Sequence, residues 1–174
     1  MKKIALYIAI VGFFTACNEL DLAEQGIVLK ELPGYVAFDA PGTSVSLDTV
    51  SRNEDGTNIV FTIECPTGTL TDITVSYTFS GTAVFGTDFN VAGATSAGGT
   101  IVLTHIQSTV PGEYQDFDNV DLIVEPLTDG VIDGTKTLSI TLASATNGDG
   151  ESVAVGRGGM DILKVANAKF NDID

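Results

Sequence analysis

Positive charge is scarce. Eight Lys and Arg stand against 23 Asp and Glu in 174 residues, a formal net charge of −15. A surface this acidic, with a pI near 4.1, repels phosphate backbones and excludes nucleic acid as a partner. Histidine is nearly absent: His105 is alone, so neither a histidine ligand set for zinc nor a Ser-His or Cys-His dyad placed by a known motif can be built. There are two cysteines, Cys17 and Cys65. No Gly-x-Ser-x-Gly and no phosphate loop occur. What is abundant is apolar surface, at 44% of residues, which is enough to offset the chain entropy lost on folding and excludes an acidic disordered tail.

The N-terminus reads as an address. Lys2 and Lys3 precede residues 4–14, eleven without charge, in the manner of the basic and apolar regions of an export signal too short to span a bilayer as a helix. The run ends at Phe14-Thr15-Ala16-Cys17, which resembles the lipobox of bacterial lipoproteins, with Phe14 where Leu is common. The resemblance implies cleavage before Cys17 and acylation of that residue, anchoring the chain to a membrane through lipid. The alternative is an ordinary secretory signal with a chance cysteine. The expected organisation is a signal peptide over 1–16, a tether over 17–31 and a β-sandwich over 32–174. Glu19 and Asp21, just after the cysteine, are similar to the acidic residues that some Bacteroidota lipoproteins use to reach the outer face of the outer membrane. The expected location is therefore the outer membrane, on its periplasmic or cell-surface face. The mature chain would keep 6 cations against 23 carboxylates, a net charge of −17. With Cys17 lipidated, Cys65 has no disulfide partner, and stability must come from the core.

Beyond the tether the apolar period is two, and 20 of the chain's 21 threonines fall there. Ile59, Phe61, Ile63 and Cys65 fall on one face, with Thr62 and Glu64 on the other. Ile73, Val75, Tyr77 and Phe79 alternate with polar residues, and so do Leu138, Ile140 and Leu142. Each series predicts a strand with one face on a core and one in water. Shorter runs at 36–38, 45–47, 100–103, 120–124, 153–155 and 162–165 bring the expected strands to about nine. Turn pairs such as Asp55-Gly56, Pro111-Gly112, Asp129-Gly130 and Asp133-Gly134 separate them. The expected fold is all-β, an immunoglobulin-like antiparallel β-sandwich of about 7–9 strands. Phe61, Val75, Tyr77, Leu138, Ile140 and Leu142 are its predicted core.

One stretch is more specific. Val75-Ser76-Tyr77-Thr78-Phe79-Ser80-Gly81-Thr82-Ala83-Val84-Phe85-Gly86-Thr87-Asp88-Phe89, followed by Gly99-Thr100-Ile101-Val102-Leu103, resembles the central segment of Calx-beta domains. There a strand enters a Gly-Thr-Ala turn, then Gly-x-Asp-Tyr/Phe, then a Gly-Thr strand. Residues 127–142 are similar to the family's acidic loop and following strand. The resemblance covers roughly 35–166. It implies a noncatalytic module and a calcium site at one end of the sandwich. Asp88 would be the turn aspartate, Asp129 the second acid of a pair, Asp133 the following acid and Asp48 the early acid. Thr128 stands where the first acid of the pair is expected, and Lys136 where a further acid is common.

The acids are unevenly spread. Residues 31–135 hold fifteen carboxylates and one cation, Arg52, the hard oxygen-rich setting that suits Ca²⁺. The competing expectation is that the Asp-Gly pairs are turn chemistry and Asp88 caps a turn. The connection 104–119 carries Tyr114, Asp116 and Phe117, aromatic faces beside carboxylates of the kind that stack sugar rings or anchor protein partners. Cys65 lies on an apolar face and is expected to be a buried, inert thiol. The expected function is a lipid-anchored cell-envelope binding or structural module, without catalysis, engaged in glycan capture, adhesion or assembly with other envelope proteins. The alternatives are a calcium-dependent module and a small carboxylate-dependent hydrolase.

Overall fold

Alternation decides the layers. In the computed structural model, which describes residues 34–66, 70–105 and 118–173, ten strands form among those residues. They are β1 (Tyr35–Phe38), β2 (Val50–Asn53), β3 (Ile59–Cys65), β4 (Ile73–Gly81), β5 (Phe89–Asn90), β6 (Gly98–Leu103), β7 (Asp118–Pro126), β8 (Lys136–Asn147), β9 (Ser152–Val155) and β10 (Val165–Asn171). A single 3-10 turn, Arg157–Gly159, follows β9. All belong to the unit Glu31–Asp174. The lipidation site Cys17, the 17–31 tether and the loop residues Tyr114, Asp116 and Phe117 lie outside the described residues.

One layer runs β1-β3-β7-β5, and the other runs β2-β10-β8-β4-β6. β9 pairs antiparallel with the end of β8 and parallel with β1, so it ties the two layers together along one edge. The inward faces meet in a single core. Phe38, Ile59, Phe61, Ile63, Leu122 and Val124 come from the first layer, and Val75, Tyr77, Leu138, Ile140, Leu142 and Phe170 from the second. Every predicted core residue is buried. Cys65 is fully buried at the end of the inner face of β3. The fold is an all-β, immunoglobulin-like sandwich.

Four details depart from the sequence expectations. Ten strands form where about 7–9 were expected, and two pairings, β1 with β9 and β2 with β10, are parallel. No strand forms at 45–47. Its place is taken by β2, whose Ser51, Arg52 and Asn53 are exposed and which joins the sheet as an edge against β10. An edge strand with so little buried surface carries no apolar alternation to find. The 162–165 run also shifts. Ile162 and Leu163 lie in a connection where Ile162 O accepts from Arg157 N and Leu163 O accepts from Phe38 N. The strand begins at Val165 because Ala166, Ala168 and Phe170 supply the inward period.

Candidate functional site

β4 leaves its neighbour at Gly81, whose φ is +119°. A Cβ there would meet Thr137 O at 2.2 Å, so the turn needs glycine both for its backbone conformation and for the close approach of β8. The next residues stay on β8: Thr82 N and Ala83 N both donate to Thr137 O, at 2.8 and 2.9 Å, and Thr137 N donates to Thr82 Oγ1 at 2.9 Å. Phe85 and Phe89 then turn inward. With Phe79 and Phe170 they form an aromatic floor, Phe89 lying edge-on to Phe79 at 5.1 Å and stacked on Phe170 at 6.0 Å. Phe85 stacks on Phe79 at 6.0 Å.

Asp88, the residue before Phe89, is 2% exposed. Its carboxylate accepts a hydrogen bond from Val84 N, and its own N–H donates to Val84 O, closing the turn. Its carbonyl accepts from Leu127 N at 2.9 Å, which fastens the 82–88 loop to the chain leaving β7. In that second loop Asp129 Oδ1 accepts from Val131 N at 2.9 Å, a short side-chain turn. Farther on, Asp172 Oδ2 accepts from both Asp133 N and Gly134 N at 2.7 Å, pinning the loop to the end of β10. Asp133 Oδ2 pairs with Lys136 Nζ at 2.6 Å.

Lys136 thus stands at the start of β8, where both loops converge. Its pKa is raised above the ordinary lysine value, first by the hydrogen bond to Asp133 and then by the charges of Asp133, Asp88 and Asp129, while desolvation opposes them. The ammonium responds to three of the four aspartates predicted as calcium ligands. The fourth, Asp48, is exposed on the approach to β2. Asn53, at the far end of β2, pairs with Asn171, and Glu54 N donates to Asn171 O at 3.2 Å. Along this register the early acid nearest the Asp172 cap is Glu54, which is 1% exposed, and not Asp48.

Calcium takes six to eight oxygens at about 2.3–2.6 Å. Among the described residues no three His, Cys, Asp or Glu side chains lie close enough to share a metal. One Asp88 oxygen takes Val84 N–H, one Asp129 oxygen takes Val131 N–H, and Asp133 holds an ammonium. The residues present do not fit the ion.

No protein-family model matches the chain, and no curated protein is similar to it in sequence. Solved structures are similar in shape. The apo-form Calx CBD1 domain aligns with a TM-score of 0.52 at 19% identity, covering 82% of this chain and 100% of that one. The Calx CBD2 domain aligns with 0.53 at 11%, covering 84% and 91%. CBD12 from CALX1.2 aligns with 0.51 at 19%, covering 80% and 44%. The sandwich is Calx-beta-like. Identities this low speak for the fold alone.

Within this Calx-beta-like frame the Gly81-Thr82-Ala83 turn and the Gly86-Thr87-Asp88-Phe89 motif form the β4–β5 connection, on which the end of the sandwich is built. Sequence reasoning missed Asp172 and Glu54, because both reach this end through pairing that is distant along the chain. His105 N–H donates to Asp72 Oδ1 at 2.8 Å, at the opposite end of β4.

Proposed function

We propose that the chain is a lipid-anchored cell-envelope protein whose sandwich acts as a noncatalytic binding or structural module. The observation that carries this reading is the use made of the acids at the loop end: Asp88, Asp129 and Asp172 accept from backbone N–H groups, and Asp133 pairs with Lys136. Carboxylates committed in this way order loops and are not poised to donate or accept a substrate proton. The export segment ending at Cys17 supports the anchor, with an outer-membrane location of the Bacteroidota type. Tyr114, Asp116 and Phe117 are the proposed contacts for a glycan or an envelope protein. The resemblance to Calx domains favours calcium dependence as a second reading, against which stand the engaged side chains and Lys136.

Mass spectrometry of the mature N-terminus tests the anchor. The expected result is a diacylglyceryl-modified Cys17 and release of Cys17→Ser from the membrane fraction. An unmodified cysteine overturns it. Affinity electrophoresis against a panel of soluble polysaccharides tests the module: retardation by one of them, lost in Tyr114→Ala and Phe117→Ala, supports glycan capture. Retardation that both variants retain removes these residues from the site.

A further inference from the structure

We infer that the loop end of the sandwich presents a preformed apolar surface, centred on Ile132 and rimmed by acids, for a protein partner whose own apolar pocket is bordered by Lys or Arg. Among the described residues eleven large hydrophobics are exposed, and four of them, Val84, Val131, Ile132 and Ile173, lie at this one end. Ile132 is the most open of all, at 81%. Its exposure is built by the backbone. The residue before it is held by Val131 N, which donates to Asp129 Oδ1 at 2.9 Å, and the residue after it by Asp133 N, which donates to Asp172 Oδ2 at 2.7 Å. A side chain between two such anchors can retreat only if both hydrogen bonds are given up. The second anchor also brings Ile173, the residue after Asp172, beside the loop that carries Ile132. Val84 joins from the 82–88 loop, which Leu127 N ties to the same connection through Asp88 O at 2.9 Å.

Single hydrophobics scattered on a surface need no explanation, but apolar residues drawn from three segments to one end and exposed on ordered backbone mark an interaction site. Order also lowers the cost of binding, because little loop entropy remains to be lost. The rim selects the partner. Asp55, Asp129, Asp133 and Asp172 stand at this end against Arg52 and against Lys136, which Asp133 already pairs with at 2.6 Å. A second copy docked end to end would bring the same acids to face them, and an anionic lipid surface would bring phosphates; both are repelled. A partner that surrounds an apolar pocket with Lys or Arg meets the surface with complementary charge, which speeds encounter and fixes orientation. The described chain enters the sandwich at the other end, where Tyr35 lies level with Ala154, so the point of entry does not obstruct this one. The inference rests on the reading of the sandwich as a binding module. It uses neither the lipid anchor nor Tyr114 and Phe117.

The test places the photo-crosslinking residue benzoylphenylalanine at position 132, and for comparison at position 60, in the full chain within the cells that make it. Val60 is 51% exposed on the outer face of β3, in the other layer. The expected result is an adduct at 132 with a second protein, several times stronger than at 60 and mapped by mass spectrometry to a segment in which Lys and Arg outnumber Asp and Glu. Irradiating broken cells in about 0.5 M NaCl should weaken it, because salt screens the attraction between exposed charges. Ile173→Ser and Val84→Ser, both at exposed positions outside the core, should weaken it too. An adduct with lipid, with glycan or with a second copy of the chain overturns the inference. So does an acidic or uncharged partner segment, a yield at 132 no greater than at 60, or a yield that neither serine variant reduces. Failure here leaves the binding-module reading to its own assay against polysaccharides, which reads Tyr114 and Phe117.

Discussion

Two cations organise two regions of this acidic molecule, and they do so by different chemistry. Lys136 answers carboxylates as a point charge. Arg157 answers mainly carbonyls: Nη1 donates to Ser44 O at 2.9 Å and Gly42 O at 3.3 Å, and Nη2 to Ala40 O at 3.3 Å. Glu64 Oε1 is 3.9 Å away, at the outer limit of an ion pair. The 40–44 segment belongs to no strand, so its carbonyls lack ladder partners, and a planar guanidinium with several fixed donors satisfies three of them at once. The backbone turns just before Arg157 at Gly156, whose φ is +92° and where a Cβ would collide with Met160 O. The Arg157 latch spreads directed donors over three carbonyls, whereas Lys136 pairs with one carboxylate, that of Asp133.

If the loop end rests first on its aromatic floor and only then on charge, Phe89→Ala should cost more than any charge substitution. Phe89 is 1% exposed and touches three other phenylalanines. Truncating a buried Phe typically costs about 3–5 kcal/mol. Urea unfolding reads this directly, and a loss below that of Arg157→Ala would reverse the ranking. Next in size is Arg157→Ala, expected to cost about 2–3 kcal/mol because carbonyl oxygens lose charged donors. Arg157→Lys should recover less than half of the loss, since one ammonium cannot reach three carbonyls held in a planar fan. Full recovery by lysine would make the two regions chemically alike.

A smaller effect is expected at Lys136. Its raised pKa means that the folded chain holds this proton more tightly than the unfolded chain does. The stability it contributes is therefore complete below the ordinary lysine value and is lost as pH rises through the raised one. Lys136→Met should melt lower than wild type at pH 7 and approach it as pH rises past the raised lysine value. High salt should narrow the same gap, because the ammonium is exposed to screening. At Arg157 neither treatment should matter much, as its bonds are to neutral carbonyls and its charge does not titrate.

The contrast also marks what a sequence can disclose. β3, β4 and β8 were legible because each buries one face, and burial writes a period of two into the chain. β2 was not, since Val50-Ser51-Arg52-Asn53 sits at an edge, and β5 is two residues long. At the loop end motif spacing singled out Asp88, Asp129, Asp133 and Lys136, and of these the structure pairs Asp133 with Lys136 directly. Asp48 is exposed before β2, and only the pairing of β2 with β10 shows that Glu54, and not Asp48, follows the end of β2 that faces Asp172. Asp172 caps N–H groups 38 and 39 residues away, and Arg157 reaches carbonyls 113 to 117 residues away. No local pattern encodes contacts at such range.

The subtlest way to test the comparison lies at Glu64, the acid beside the Arg157 latch. Its pKa is raised above the ordinary 4.5, first by burial and then by the charge of Asp39, with Arg157 pulling the other way. The balance is upward, so the folded chain binds this proton more tightly than the unfolded chain. Stability from protonated Glu64 is present below pH 4.5 and is lost as pH rises through the raised value. Glutamine keeps the shape and the neutral state, so Glu64→Gln should match wild type below pH 4 and equal or slightly exceed it at pH 7, by less than Arg157→Ala loses. Urea midpoints at a series of pH values between about 3.5 and 7.5 check the sign. A variant weaker than wild type at pH 7 would mean that the guanidinium attracts Glu64 more than burial and Asp39 repel its charge. The latch would then be an ion pair after all, and the difference between the two cations would narrow to the carbonyls alone.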